Sequence, residues 1–339
     1  MTSTPALSEI QPRGRWIVTG AAGFIGSHLV EALLVRGVNV VAIDNFATGS
    51  RANIKLLEEV AAGTSADFHF VEGSIEDPLV CRAVCEGASV VLHQAALGSI
   101  PRSIESPQRT HAVNVTGTLN MLEASRDAGV SRFVYASSSS VYGDATTLPM
   151  HEDSLGLPLA PYASSKRAVE LYARNYADHY GLETVGLRYF SVFGPRQDPA
   201  GAYAAVIPKW ISSLARRVPT VINGDGETSR DFCYVANVVQ ANILAATYSG
   251  YDTRRSVFNV ANGAQTSLNE IHSRINELLS EHGIIDLPAP VFQSERPGDI
   301  RHSLADITRA RDVLGYAPSH ELEAGMRETV AWYCGKGTS

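Results

Sequence analysis

The run Gly20-Ala-Ala-Gly23-Phe-Ile-Gly26 constrains this chain more than any other stretch. It is entered from an apolar segment, Trp16-Ile-Val-Thr19, and left through a helical pattern, Ile25–Val35. Glycine allows a turn too tight for a side chain and lets the main chain approach a bound group closely. A strand that turns this sharply into a helix points the first helical N–H groups at the turn, an arrangement suited to a pyrophosphate. On its own the turn would serve equally as a plain strand–helix connection, so the next strand matters. It ends at Asp44, eighteen residues beyond Gly26. A carboxylate there accepts hydrogen bonds from adenosine ribose hydroxyls and repels a 2′-phosphate. NAD is therefore expected rather than NADP.

Strand-like and helical patterns alternate along the first half of the chain. Trp16–Thr19, Val38–Ile43, Phe68–Val71, Val90–His93, Phe133–Ala136 and Thr184–Leu187 are short, nearly continuous apolar runs. Such runs suit strands buried on both faces. Ile25–Val35, Val113–Asp127 and Ala163–His179 read as helices between them. The alternation predicts an α/β fold, a parallel sheet with helices on both faces. After Arg188 the pattern breaks into a Gly/Pro loop, Phe193–Gly201, then isolated helices at Val206–Leu214, Val238–Thr247, Leu268–Glu281 and Ile307–Leu314. Val257–Val260 reads as one more strand returning to the main sheet. An N-terminal dinucleotide domain and a smaller C-terminal domain, with a boundary crossed more than once, are the expected organisation.

Composition excludes several classes. With 45% apolar and 19% charged residues among 339, the chain is an ordinary globular one. A net charge of −7 and the lack of any Lys/Arg run argue against a nucleic-acid partner. Cys81, Cys85, Cys233 and Cys334 form no CxxC, and no His pair stands at zinc spacing, so no metal site is expected. Cys81 and Cys85 could share a helix face as two reduced thiols. The N-terminal fifteen residues carry no apolar signal core, and no run is long enough to span a bilayer, so no membrane partner and a cytoplasmic location are expected.

The chemistry concentrates in Tyr162-Ala-Ser-Ser-Lys166, a phenol and an ammonium four residues apart and so on one helix face. A phenol with a pKa of about 10 is a poor base at neutral pH, and a nearby Lys⁺ favours its phenolate. Tyr and Lys meet in this way on many helix surfaces; what lifts the pair above that background is its company. Ser137-Ser-Ser-Ser140-Val-Tyr-Gly143 follows the fifth expected strand, at the sheet edge where doubly wound folds bind ligands. A serine there can reach both a substrate hydroxyl and the tyrosine oxygen.

Together, Gly20–Gly26, Asp44, the serine strand end, Tyr162-x-x-x-Lys166 and Arg188-Tyr-Phe190 resemble the extended short-chain dehydrogenase/reductase family, over roughly residues 14–334. The resemblance implies a Rossmann doubly wound parallel sheet over 14–188, with return segments near 232–262. It also implies a smaller C-terminal mixed α/β domain that binds the UDP-sugar, over 189–231 and 263–339. It makes Tyr162 the base and Ser138 the partner of the sugar oxygen that is oxidised, and it has Lys166, besides favouring the phenolate, also hold the nicotinamide ribose. Beside Gly20, Gly23, Gly26 and Asp44, it assigns to a tightly bound NAD the residues Phe24, Ile25, Asn45, Thr48, Gly49, Ser74, Ile75, Gln94, Ala95, Ala96, Asn114 and Tyr189. By the same resemblance, helices near Val113–Asp127 and Ala163–His179 pair across a homodimer.

Family dehydratases carry Thr-Asp-Glu or Thr-Ser-Glu where this chain has Ser138, Ser139 and Ser140, and the decarboxylases have a similar Glu. A hydroxyl at Ser140 is no base for a carbon acid, which disfavours elimination and leaves epimerisation at one carbon. Four longer stretches, 95–103, 197–210, 224–234 and 298–306, resemble bacterial UDP-N-acetylglucosamine 4-epimerases. That resemblance puts Arg230 and Arg296 on the UDP diphosphate, Asp299 on the uridine ribose, and Ala205 and Val206 near the nucleotide. Ser99, Gln197 and Asn223 complete the substrate set. Ser303 replaces the bulky aromatic that restricts related epimerases to non-acetylated hexoses, and Gly98 and Ser139 border the space it leaves. Two positions depart from the pattern. Ser191 stands where an Asn contacting the sugar usually follows Tyr-Phe, and Ser74 stands where an Asp often bonds adenine. UDP-GlcNAc/UDP-GalNAc is thus expected as the substrate pair. UDP-glucose/UDP-galactose remains an alternative, as does a UDP-hexuronic acid with Arg102 near its carboxylate; a nucleotide-sugar dehydratase, a decarboxylase or a reductase using free NAD(P)H is disfavoured.

Overall fold

The computed structural model describes residues 14–200, 205–295 and 301–336. Six strands, β1 (Arg15–Thr19), β2 (Asn39–Asp44), β3 (Phe68–Glu72), β4 (Ala88–His93), β5 (Arg132–Ser138) and β6 (Glu183–Tyr189), join Val257–Val260 in one parallel sheet. Its order is Val257–Val260, β6, β5, β4, β1, β2, β3. Each apolar run expected as a strand lies in this sheet. The pleat sends alternate side chains to two cores. Trp16, Val18, Val40, Ala42, Leu92, Val134 and Leu187 face one, while Ile17, Val41, Ile43, Val91, Phe133 and Tyr135 face the other. Full burial of each such side chain stabilises the fold by about 1.5–3 kcal/mol, which is why the runs are apolar at every position rather than at every second one.

Helices cover both faces. Phe24–Val35, Arg51–Ala62 and Val235–Thr247 pack on the first core; Pro78–Cys85, Gly117–Asp127 and Pro161–Tyr180 pack on the second. Two of these were absent from the sequence reading, Arg51–Ala62 and Pro78–Cys85. Ser50 caps the first by accepting the Ala52 N–H at 3.2 Å, and Asp77 caps the second by accepting the Leu79 N–H at 2.9 Å. Cys81 and Cys85 do share the buried face of Pro78–Cys85, both as free thiols that burial pushes up, to about 12 and about 11. The helix expected from Val113 instead opens as a π turn, Ala112–Thr116, before Gly117–Asp127.

A third core gathers Val206–Ala215, Leu268–Glu281 and Leu322–Lys336 around Phe193, Trp210, Phe232 and Tyr234. Three pairs of two- and three-residue strands tie it together, among them Ser191–Phe193 with Phe232–Tyr234. The chain enters this part after Tyr189, returns to the main sheet over Val235–Val260, and leaves again. No helix among the described residues is long and apolar enough to cross a membrane.

Candidate active site

From β1 the chain steps outward to β2 and β3, then returns to place β4 on the other side of β1. Connections leave the sheet in opposite directions at this point, which opens a crevice beyond the carboxyl ends of β1 and β4. A cleft of about 660 Å³ lies there. The glycine turn forms its floor. Gly20 has φ +67°, and a Cβ on it would stand 2.8 Å from the Ala95 nitrogen; a Cβ on Gly26 would stand 2.1 Å from the Gly20 oxygen. Backbone fills the space that side chains would take, leaving a bare main-chain cradle. Asp44 ends β2 at its rim. One carboxylate oxygen accepts the Ala22 N–H at 3.0 Å and the other the Phe46 N–H at 2.7 Å. Burial raises the Asp44 pKa, and these backbone donors oppose the rise. A bare cradle beside a hydrogen-bonded carboxylate fits a dinucleotide with free ribose hydroxyls.

Most of the expected cofactor residues line this cleft: Gly20, Gly23, Phe24, Ile25, Gly26, Asp44, Asn45, Thr48, Ser74, Ile75, Gln94, Ala95, Ala96, Tyr162, Lys166 and Tyr189. Gly49 and Asn114 do not. Gly49 lets its loop close on the turn, since a Cβ there would lie 2.7 Å from the Ala22 Cβ. Asn114, fully buried in the π turn, accepts the Leu97 N–H at 2.8 Å and donates to Ser165 Oγ at 3.1 Å, so it ties the cleft wall to the Tyr162 helix. The Ser74 hydroxyl is engaged within the protein, accepting the Glu76 N–H at 3.2 Å and facing Asn45 Nδ2 at 3.5 Å.

Two buried relays hold the wall, and the sequence reading found neither. Thr118 Oγ1 donates to the Asn114 carbonyl at 2.6 Å, so it accepts from His93 Nε2; His93 Nδ1 then accepts from Thr19 Oγ1, both at 2.9 Å. Thr19 Oγ1 receives the N–H groups of Gln94 and Ala95, each at 3.1 Å. This chain fixes one His93 tautomer, and burial lowers the ring's pKa to about 3. Beside it Tyr189 donates to Gln94 Oε1 at 3.1 Å, Gln94 Nε2 donates to Asn242 Oδ1 at 3.1 Å, and Asn242 Nδ2 donates back to Tyr189 at 2.8 Å.

The reactive groups meet where β5 ends. Tyr162 and Lys166 lie one turn apart in Pro161–Tyr180, a helix started by Pro161. Lys166 Nζ donates to the Ala136 carbonyl at 2.8 Å and lies 5.9 Å from the Tyr162 ring centre. Ser138 Oγ accepts the Ser140 N–H at 3.1 Å, which leaves its own hydrogen for Tyr162. The electrostatics differ from the sequence-based expectation. Burial raises the Tyr162 pKa, and the hydrogen bond from Ser138, rather than the Lys166 charge, pulls it down. Lys166 itself is lowered to about 8 by burial, with Glu170 opposing. The Ser140 hydroxyl is buried with no hydrogen-bond partner.

Of the expected substrate residues, Gly98, Ser99, Ser138, Gln197 and Ala205 line the cleft, while Ser139, Ser191, Val206, Asn223, Arg230 and Ser303 do not line it as the described residues form it. Ser191 sits in a short strand and Ser303 is buried, with its N–H donating to the Ser229 carbonyl at 3.1 Å. Arg230 donates to the Ser229 and Arg301 carbonyls at 2.9 and 3.1 Å. Arg296 and Asp299 fall outside the described residues. Arg102, expected only as a counter-ion to a uronic acid, lines the cleft, together with two charged residues that the sequence reading did not name, Arg109 and Asp198. Arg109 falls on a turn of helix after β4, where local pattern carries no sign of the cleft.

A dinucleotide cradle facing a Ser–Tyr–Lys set defines a protein of short-chain dehydrogenase type. The model of the NAD dependent epimerase/dehydratase family matches residues 16–261, and the chain belongs to that family. Its cofactor is NAD. The chain is 39% identical over 325 residues to a UDP-glucose 4-epimerase of Mycolicibacterium smegmatis, covering 95% of this chain and 99% of that one. It is similar to the structure of a UDP-N-acetylglucosamine 4-epimerase from Methanobrevibacter ruminantium in complex with UDP-N-acetylmuramic acid (TM-score 0.87, 37% identity, 95% of this chain and 99% of that one). It is also similar to a UDP-glucuronic acid 4-epimerase from Bacillus cereus in complex with a fluorinated UDP-glucuronic acid and NAD (TM-score 0.84, 30% identity, 94% of this chain and 98% of that one).

Proposed function

We propose that this protein interconverts UDP-GlcNAc and UDP-GalNAc by epimerisation at C4. UDP-sugar 4-epimerase activity with NAD is supported by relatives at 30–39% identity that share this reaction in their names and differ in the sugar. The observation that carries the reaction type is the Ser138–Tyr162–Lys166 set at the end of β5, beside a hydroxyl, Ser140, where elimination would need a carboxylate. In this reading Ser138 passes or steadies the proton of the sugar C4 hydroxyl, and Tyr162 receives it. NAD supplies the acceptor for the C4 hydride and returns it. Lys166 holds positive charge beneath the tyrosine and the ribose, and Tyr162 reprotonates the oxygen once the 4-keto sugar has presented its other face. Arg230 and Arg296 hold the diphosphate and Asp299 the uridine ribose while the sugar turns.

One observation favours an acetylated sugar: a Cβ on Gly98, in the cleft lining, would meet nothing within 4 Å. The resemblance adds Ser303, small where related epimerases carry an aromatic, although Ser303 does not line the cleft formed by the described residues. A uronic acid is the second reading, favoured by Arg102 in the cleft lining and opposed by Asp198 in the same lining. UDP-glucose/UDP-galactose is the third. We assign 14–188 with the returns near 232–262 to cofactor binding, and 189–231 with 263–339 to the UDP-sugar. A homodimer in the cytoplasm completes the proposal; exposed Leu171 and Tyr172 on the Pro161–Tyr180 helix supply apolar surface for pairing.

A nucleotide-sugar panel read by NMR for the configuration at C4 tests the sugar, and a preference for the unacetylated or uronic pair would overturn it. Tyr162→Phe tests the chemistry. It is expected to fold, retain NAD and lose about 10²–10⁴-fold in kcat, the usual contribution of a positioned base; near-normal turnover would remove Tyr162 from its role.

A further inference from the structure

Directly behind the reactive set stands a buried carboxylate that has no part in the chemistry above. Glu170 follows Lys166 by one turn of the same helix and is 5% exposed. Its Oε1 accepts from Ser137 Oγ at 2.6 Å and from Arg188 Nε at 2.8 Å. Its Oε2 accepts from Arg188 Nη2 at 2.9 Å and from Arg167 Nη1 at 3.0 Å. Arg188, on β6, is anchored in turn by the Glu152 carbonyl at 2.8 Å and the Tyr142 hydroxyl at 3.2 Å. Every part of this carboxylate is therefore fixed, and a fixed charge in a dry site acts strongly on its neighbours.

Two of those neighbours lead to the reaction. Ser137 precedes Ser138 on β5, and Lys166 reaches the same strand through the Ala136 carbonyl. We propose that Glu170 is a positioning residue for the epimerisation: its carboxylate holds Lys166 in the charged form and pins the strand end that presents Ser138. This rests on the reading of Tyr162 and Lys166 as the reactive pair.

The surroundings of Lys166 identify Glu170 as the group able to do this. On its own helix the ammonium has Tyr162 one turn before and Glu170 one turn after. From β5 it meets a carbonyl, and from β4 the charge of Lys166 acts on His93, a ring that burial keeps neutral. Arg188 from β6 and Arg167 from the helix face the carboxylate rather than the amine. Among these groups Glu170 is the anion. Replacing it with an amide removes the negative charge and leaves the two guanidiniums uncompensated, which disfavours protonated Lys166.

The test compares wild type, Glu170→Gln and Glu170→Asp, all loaded with NAD, by kcat against pH with the UDP-sugar the wild type turns over. Glu170→Gln is expected to move the alkaline limb to lower pH by about one unit, roughly a tenfold loss at alkaline pH relative to the loss near pH 6.5. Glu170→Asp keeps the charge and is expected to return the limb most of the way. An unmoved limb in folded Glu170→Gln, or equal limbs in the two variants, would overturn the proposal. If Glu170→Gln does not fold, Arg167→Met decides: it removes one of the cations that face the carboxylate, at a half-exposed side chain, and leaves Glu170 itself in place. A limb moved to higher pH supports the charge role; an unmoved or lowered limb rejects it. Tyr162→Phe separates the two levels: turnover in that variant rejects the reactive pair itself, whereas a dead Tyr162→Phe beside an unmoved Glu170→Gln limb rejects the role of Glu170 alone.

Discussion

Alanine in place of Gly26 would set a methyl carbon 2.1 Å from the Gly20 carbonyl oxygen, with a second close approach of 2.7 Å to the Gly20 carbon. No side chain can swing away, because both contacts are main chain. Relief has to come from the turn itself, so Gly26→Ala is expected to cost about 1–3 kcal/mol of stability and to strip NAD from the purified protein. Cofactor released on denaturation, per mole of chain, reads this directly; a full complement of NAD would mean that the cradle tolerates a methyl group. Residues of this kind were legible in the sequence because their chemistry is local. Gly20, Gly26, Asp44, Tyr162 and Lys166 declare themselves by spacing on one strand, turn or helix. Asn242, Thr118 and Glu170 do not. Each is an ordinary helical polar residue whose meaning comes from a partner far along the chain, as Asn242 has in Gln94 and Thr118 in His93.

At the level of elements, the Pro161–Tyr180 helix is fastened to β6 by Arg188 and Glu170, both buried, in a two-pronged ion pair. Burial and the Arg188 pair act on Glu170 in opposite directions, and the pair prevails, leaving its pKa lowered. Removing one member strands the other charge without water. Arg188→Met is expected to destabilise by about 3–5 kcal/mol, seen as a lower denaturant midpoint; a midpoint within error of wild type would show that water or Arg167 takes over the pairing. Whether an element could be read in advance follows from how much it buries. The six strands and Val257–Val260 were visible as apolar runs. Arg51–Ala62 was not, because Asn53, Ile54 and Leu57 are its only buried residues. Strands of two or three residues, such as Ser229–Arg230 against Thr266–Ser267, exist because a partner is present and leave no pattern of their own.

For the whole molecule, acid is the expected weakness. His93 and His28 are both moved from 6.5 to about 3, chiefly by burial. Between those values the unfolded chain binds protons that the folded chain refuses, so stability falls as pH falls across that window. Asp231 works the other way: burial raises it from 3.8 to about 6, and its contribution is present at low pH and lost as pH rises through 6. Asp44 and Glu152, also raised by burial, act with Asp231. The two histidine shifts are the large ones, so the urea midpoint is expected to drop from pH 7 to pH 4.5, and to drop less in His93→Gln; a midpoint that rises on acidification would mean that the buried carboxylates dominate. The strand order carries a consequence for synthesis on the ribosome. The cradle, the His93 relay and the Ser–Tyr–Lys set are all encoded before Tyr189, yet β6 receives its outer neighbour only when Val257–Val260 emerges. Through that interval the nascent chain holds nearly everything needed to grip its dinucleotide while one sheet edge stays bare, a ready template for wrong pairing. Early capture of NAD would stiffen the half-made sheet at that vulnerable moment, so the molecule that serves the finished enzyme can also act as an escort during its birth.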